Sequence, residues 1–66
     1  MKGIRIEDNK IIVELSFDEL KIIVNSLNEI CNKIESWEFE TRLGIDIEEA
    51  RKILEDLTSI YINLHI

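Results

Sequence analysis

The sequence predicts an α+β domain in which an N-terminal antiparallel β-hairpin packs on a two-helix hairpin (ββαα), as one unit over residues 1–66. Three observations predict it. Apolar residues alternate on both sides of Asp8-Asn9, two later stretches carry apolar residues at helical spacing, and a capping residue stands just before each of those stretches. No proline interrupts any of them.

The hairpin is expected over about residues 3–15. Asp8-Asn9 supplies residue types that tolerate left-handed backbone, and a two-residue turn there pairs Glu7 with Lys10, Ile6 with Ile11, Arg5 with Ile12 and Ile4 with Val13. Side chains alternate along a strand, so Ile4, Ile6, Ile11, Val13 and Leu15 then share one face. Arg5, Glu7, Lys10, Ile12 and Glu14 share the other, where only Ile12 is out of character.

A helix follows over about residues 17–35. Ser16 is its N-cap and Glu19, three residues on, completes a capping box; Leu15 and Leu20 are placed to form a hydrophobic staple. Leu20, Ile23, Val24, Leu27, Ile30, Cys31 and Ile34 form its apolar stripe. After a connector at 36–45, a second helix is expected over about 47–63, capped by Asp46, with Glu48 and Glu49 at the positive end of its dipole. Its apolar positions are Ile47, Ala50, Ile53, Leu54, Leu57, Ile60, Tyr61 and Leu64. Glu48 with Lys52, Arg51 with Glu55, and Lys52 with Asp56 are spaced to pair on its wet face. Residues 60–66 also alternate, so a third strand stays open there; the helix is preferred because nothing breaks it.

Composition removes most chemistry. Cys31 is the only cysteine and His65 the only histidine, which leaves no disulfide and no closed zinc site. The glycines are Gly3 and Gly44, too few for a phosphate-cradling loop, and Asp46 to Glu49 lacks the alternating oxygen ligands of a calcium loop. Cys31 lies on the apolar stripe as filler, Ser16 is a cap rather than a nucleophile, and His65 has no fixed neighbour to orient it as a base. A fold this small is expected to leave little room for a pocket of about 300 Å³. No enzyme activity, no catalytic residue, no metal and no cofactor are expected. There is no membrane span and no signal-peptide core, and one unpaired thiol suits a reducing compartment, so the expected setting is the cytoplasm.

The net charge of −6 points away from nucleic acid, whose phosphates call for a basic patch, and suits either a basic protein partner or simply solubility. A domain of this length has a marginal core, and Ile12, Ile22, Ile62 and Ile66 find no obvious place in it. With a free strand edge, this favours a homodimer.

The distinctive stretch is Ser36-Trp37-Glu38-Phe39-Glu40-Thr41-Arg42-Leu43-Gly44. Tryptophan and arginine are enriched at interface hot spots, so Trp37, Glu38, Glu40 and Arg42, with Glu48 and Glu49 beyond them, are the candidate partner-binding residues. The competing reading has Trp37, Phe39 and Leu43 plug the open end of the helix pair. A helix-turn-helix is also legible, with Glu38 to Leu43 as a short helix, Gly44-Ile45-Asp46 as the turn and Ile47 to Leu57 as the recognition helix. Its charge opposes DNA, since Glu38 to Asp56 holds seven acidic and three basic residues.

The run from Trp37 to Gly44, with Glu49-Ala50 after it and Leu27-Asn28-Glu29 before it, resembles a group of short bacterial proteins of unassigned function, over residues 13 to 57. The resemblance implies a bacterial origin and carries no activity, cofactor or site residue. The expected role is a small, acidic, non-catalytic protein-interaction domain, in one version an immunity or antitoxin-type inhibitor of a basic partner. The alternatives are a helix-turn-helix DNA-binding regulator and a self-associating structural subunit.

Overall fold

The structure is a computed structural model, and it describes residues 1–64; the expectations for His65 and Ile66 lie outside the described residues. The element order is β1 (Lys2–Glu7), β2 (Lys10–Glu14), α1 (Phe17–Lys33), α2 (Ser36–Leu43) and α3 (Ile47–Leu64). The chain is α+β as expected; among the described residues it has three helices where the ββαα reading expected two, and α2 falls where the helix-turn-helix alternative put a short helix, Glu38 to Leu43.

The strands pair antiparallel across Asp8, whose φ of 53° is the left-handed backbone the turn requires. Glu7 faces Lys10, Ile6 faces Ile11 and Arg5 faces Ile12, as the alternation predicts. Beyond Arg5 the register shifts: Gly3, not Ile4, faces Val13, and Ile4 is the extra residue of a β-bulge.

The caps form as their sequences require. Ser16 Oγ accepts from the Glu19 backbone N–H at 3.1 Å, and the Ser16 N–H donates to Glu19 Oε1 at 2.9 Å, which closes the capping box. Asp46 Oδ1 accepts from the backbone N–H groups of Glu48 at 2.8 Å and Glu49 at 3.1 Å. The surface pairs on α3 differ from expectation. Arg51 Nη1 turns back to Glu48 Oε1 at 3.6 Å, and the other spaced pairs do not close among the described residues. The helical reading of the chain end holds through Leu64.

Two larger corrections concern packing. First, α1 ends at Lys33 rather than near Glu35, and the connector is itself the two-turn helix α2. Extended backbone at Ile34 and Glu35 redirects the chain, so that Phe39 from α2 enters the end of the α1/α3 pair. Phe39 (0% exposed), Cys31 and Ala50 form the buried cluster, with Leu27, Ile30, Ile34, Ile45, Ile47 and Leu54 packed around them. At the other end of the pair, the Phe17 and Tyr61 rings meet edge to face at 6.5 Å, which fixes α1 and α3 as antiparallel.

Second, the hairpin does not lie over the helices. α1 packs on α3 and α3 on α2, while among the described residues neither strand comes into close backbone approach with a helix, and the hairpin meets the helix pair at its end, beside Val13. The face expected to be core is open: Ile4, Ile6, Ile11 and Val13 are all exposed, and Ile12, on the other face, is the half-buried one. The reason is short-range. Only Leu15 and Ser16 separate β2 from α1, and the capping box holds Ser16, so the hairpin leaves the bundle end rather than folding back across it.

The result is flat, 35 × 31 × 16 Å, and exposes 5558 Å². A compact monomer of 7.8 kDa exposes about 4,400 Å², so this chain leaves roughly 1,200 Å² more surface uncovered than its mass requires.

Candidate functional site: the outer face of α2

Helix α2 is short, yet it is held at several points. Phe39 is its anchor in the core. Gly44 closes it in the left-handed conformation at φ 75°, its N–H donating to the Glu40 carbonyl at 2.8 Å. At the other end, the Glu38 N–H donates to the Glu35 carbonyl at 2.9 Å.

With Phe39 buried, Trp37, two positions before it, points to nearly the opposite side of the helix. Trp37 is 76% exposed, an unusual position for a side chain of this size in a well-anchored helix. Arg42 Nε donates to Glu38 Oε2 at 3.2 Å, one turn apart on the same face. Trp37, Glu38, Thr41 and Arg42 line a shallow cleft of about 200 Å³. The two readings of the aromatics therefore divide between them. Phe39 is the plug, Trp37 is surface, and Leu43 is 38% exposed at the margin.

Of the six residues expected at the site, Trp37, Glu38 and Arg42 come together. Glu40 is exposed on the same helix but does not line that cleft. Glu48 and Glu49 stand in the first turn of α3, exposed, with their backbone N–H groups on Asp46. No hydrogen bond or ion pair among the described residues joins them to the Trp37 group. What they share is sign: Glu38, Glu40, Asp46, Glu48 and Glu49 make the stretch from α2 into the first turn of α3 acidic, with Arg42, Arg51 and Lys52 as its bases.

Sequence reasoning missed two concavities. A trough of about 560 Å³ runs between α1 and α3, with Asn28, Asn32, Cys31, Arg51 and Ile62 among its walls. A second, of about 340 Å³, is walled by Val13, Leu15, Phe17, Leu20, Leu57 and Ile60, where the end of the hairpin meets the helix pair. Both exceed the room expected for so small a fold. Ile62 was the available signal, being an apolar position that the helix stripe does not use. Both troughs are open to solvent and mainly apolar. Among the described residues no helix is long and apolar enough to cross a membrane.

No protein-family model matches this chain, and neither a curated protein nor a solved structure is similar to it.

Proposed function

We propose that this chain is a non-catalytic protein-interaction domain whose acidic α2–α3 corner covers a basic surface on another protein, in the manner of an immunity or antitoxin-type inhibitor. One observation carries the reading: Trp37 projects from a helix that Phe39 pins in the core. A large ring on a rigid support contributes contact area at little cost in conformational entropy, which is what interface hot spots use. Glu38 and Glu40 on the same helix, with Glu48 and Glu49 at the start of α3, supply the charge that steers a basic partner and makes association sensitive to salt. The link to inhibitors of this kind is an analogy of size and charge.

The experiment is a nuclease-treated pull-down from lysate of the source organism, with the wild-type chain, Trp37→Ala and the double change Glu38→Lys/Glu40→Lys as baits. A stoichiometric basic protein that the wild type retains and both variants lose supports the reading. Retention by all three baits removes α2 as the contact surface.

A helix-turn-helix role is the second reading, favoured by the order α2, Gly44, α3 with the cap at Asp46. The acidic balance of that segment opposes it, since each carboxylate facing a phosphate repels. Duplex retardation at low salt separates the two: a shift favours the regulator, and no shift with any duplex removes it.

A further inference from the structure

Strand β2 has β1 on one side only, since the sheet holds two strands. The two outer edges of this sheet are not equivalent. The edge of β1 is interrupted by the bulge at Ile4, a device that discourages further pairing. The edge of β2 is regular from Lys10 to Glu14.

That edge complements itself. Read against a second copy running the other way and centred on Ile12, Lys10 faces Glu14, Ile11 faces Val13 and Ile12 faces Ile12. Charge, face and backbone direction all agree in this register; the last two follow from the even spacing of the paired residues, and the charges choose the centre. Both charges find an opposite charge, and both ends of the strand do so at once. Facing residues lie on the same face of the sheet, as a two-fold axis perpendicular to it demands. The hydrogen-bonding groups also match. Residues of an antiparallel strand alternate in the direction their N–H and C=O groups point, so counting from the Glu7–Lys10 pair that closes the turn, Ile11 and Val13 direct theirs away from β1. Those are the residues this register pairs with each other.

Moving the centre by one residue to Ile11 or Val13 keeps the face and backbone rules but sets one charge against Ile12 and the other against Asp8 or Ser16, so neither ion pair forms. The surface account agrees in size. A standard interface takes about 800 Å² from each partner, and this chain carries roughly 1,200 Å² beyond what its mass requires.

We propose that two copies of this chain join antiparallel through β2, in the register centred on Ile12, to make one four-stranded sheet. The pairing explains the exposed side chains of the hairpin tip. Val13 lines the trough of Leu15, Phe17, Leu20, Leu57 and Ile60, so the face carrying Ile11 and Val13 is the trough side. In the dimer, Lys10 of one copy lies beside Glu14 of the other, and α1 begins three residues after Glu14. The tip residues Ile6 and Ile11, 77% and 70% exposed, are thereby carried beside the trough of the second copy, which their own chain holds out of their reach. The interface lies on the hairpin, not on α2, so it stands or falls independently of the basic-partner reading.

The test uses charge reversal in single and mixed form, read by sedimentation equilibrium of the full chain. The wild type is expected to dimerise. Lys10→Glu alone sets glutamate against glutamate at both ends, Glu14→Lys alone sets lysine against lysine, and each is expected to weaken self-association roughly tenfold. An equimolar mixture of the two variants restores an opposite charge at both ends and is expected to give a heterodimer, identified by a mass tag on one of them. This recovery also guards against misfolding, because a chain that cannot fold does not regain a partner on mixing. Wild type that remains monomeric at high micromolar concentration overturns the proposal. Single variants that dimerise as well as wild type, or a mixture that forms no heterodimer, overturn the register.

Discussion

Phe39 and Trp37 lie two residues apart on α2 and have opposite surroundings: the Phe39 ring is fully buried against Cys31 and Ala50, and Trp37 is 76% exposed. Phe39→Ala removes the largest fully buried side chain of the domain. A buried Phe→Ala change costs about 3–5 kcal/mol, which is much of the total stability of a domain this small. The expected outcome is loss of the cooperative thermal transition at room temperature, seen by circular dichroism. Trp37→Ala is expected to leave stability within about 0.5 kcal/mol, since a surface change away from caps and core costs little. Equal losses in the two variants would contradict this division of roles.

The two helix caps are separate devices. Ser16→Ala removes the acceptor for the Glu19 N–H, and Asp46→Ala removes the acceptor for the Glu48 and Glu49 N–H groups. Each is expected to cost about 1 kcal/mol. For a domain of this size that is a fall of about 4–8 °C in Tm, and the double variant should show the two effects added. Urea melts of the three variants check both the size and the additivity.

Gly44 has φ +75° and open space where a Cβ would stand. Gly44→Ala therefore meets no clash, and its cost is the left-handed backbone alone, about 1–2 kcal/mol. Gly44→Asn is expected to cost less, because asparagine tolerates that conformation better. If alanine and asparagine were equally harmful, the cost would have to lie elsewhere than in the backbone angle.

Glu19 has its carboxyl held below the ordinary glutamate range, first by the hydrogen bond from the Met1 ammonium and then by the Ser16 backbone N–H. The folded state thus binds this proton less readily than the unfolded state. The resulting stabilisation is present above the usual glutamate pKa and is lost as the pH falls through the lowered value. Glu19→Gln keeps a side chain suited to the capping box and removes the titration. Its Tm is expected to lie below that of the parent near neutral pH and to converge with it in acid. Parallel Tm curves from about pH 6 to pH 2 would show that Glu19 makes no pH-dependent contribution.

Several elements were legible from local spacing because their stabilising contacts span four residues or fewer. Ser16 with Glu19, Asp46 with the N–H groups of Glu48 and Glu49, and the Asp8-Asn9 turn with its Glu7–Lys10 closing pair are of this kind. α2 was legible only in part, as the short helix Glu38 to Leu43 of the helix-turn-helix alternative. Trp37 and Phe39 at a spacing of two, with carboxylates between, mimic strand alternation in a segment of only eight residues, while its helical marks, the Glu38–Arg42 pair and Gly44, are weak alone. The candidate site was legible as a set of residue types, but its grouping was not: Trp37, Glu38 and Arg42 share one cleft, while Glu48 and Glu49 stand apart in the first turn of α3.

By itself, then, the sequence determined where helices and the hairpin begin, because caps, turns and periodicity act within a few residues of chain. Tertiary structure alone decided which aromatic is buried and where the hairpin stands. Phe39 is inside because the end of the α1/α3 pair presents a gap of its size with Cys31 and Ala50 as walls, and those residues are distant from it in sequence. The hairpin stands clear of the helices because Leu15-Ser16 is too short and too firmly capped to return it, so an apolar face that alternation marks as core remains open in the single chain. Alternation specifies that a face is apolar; what covers that face depends on the direction in which the chain leaves it.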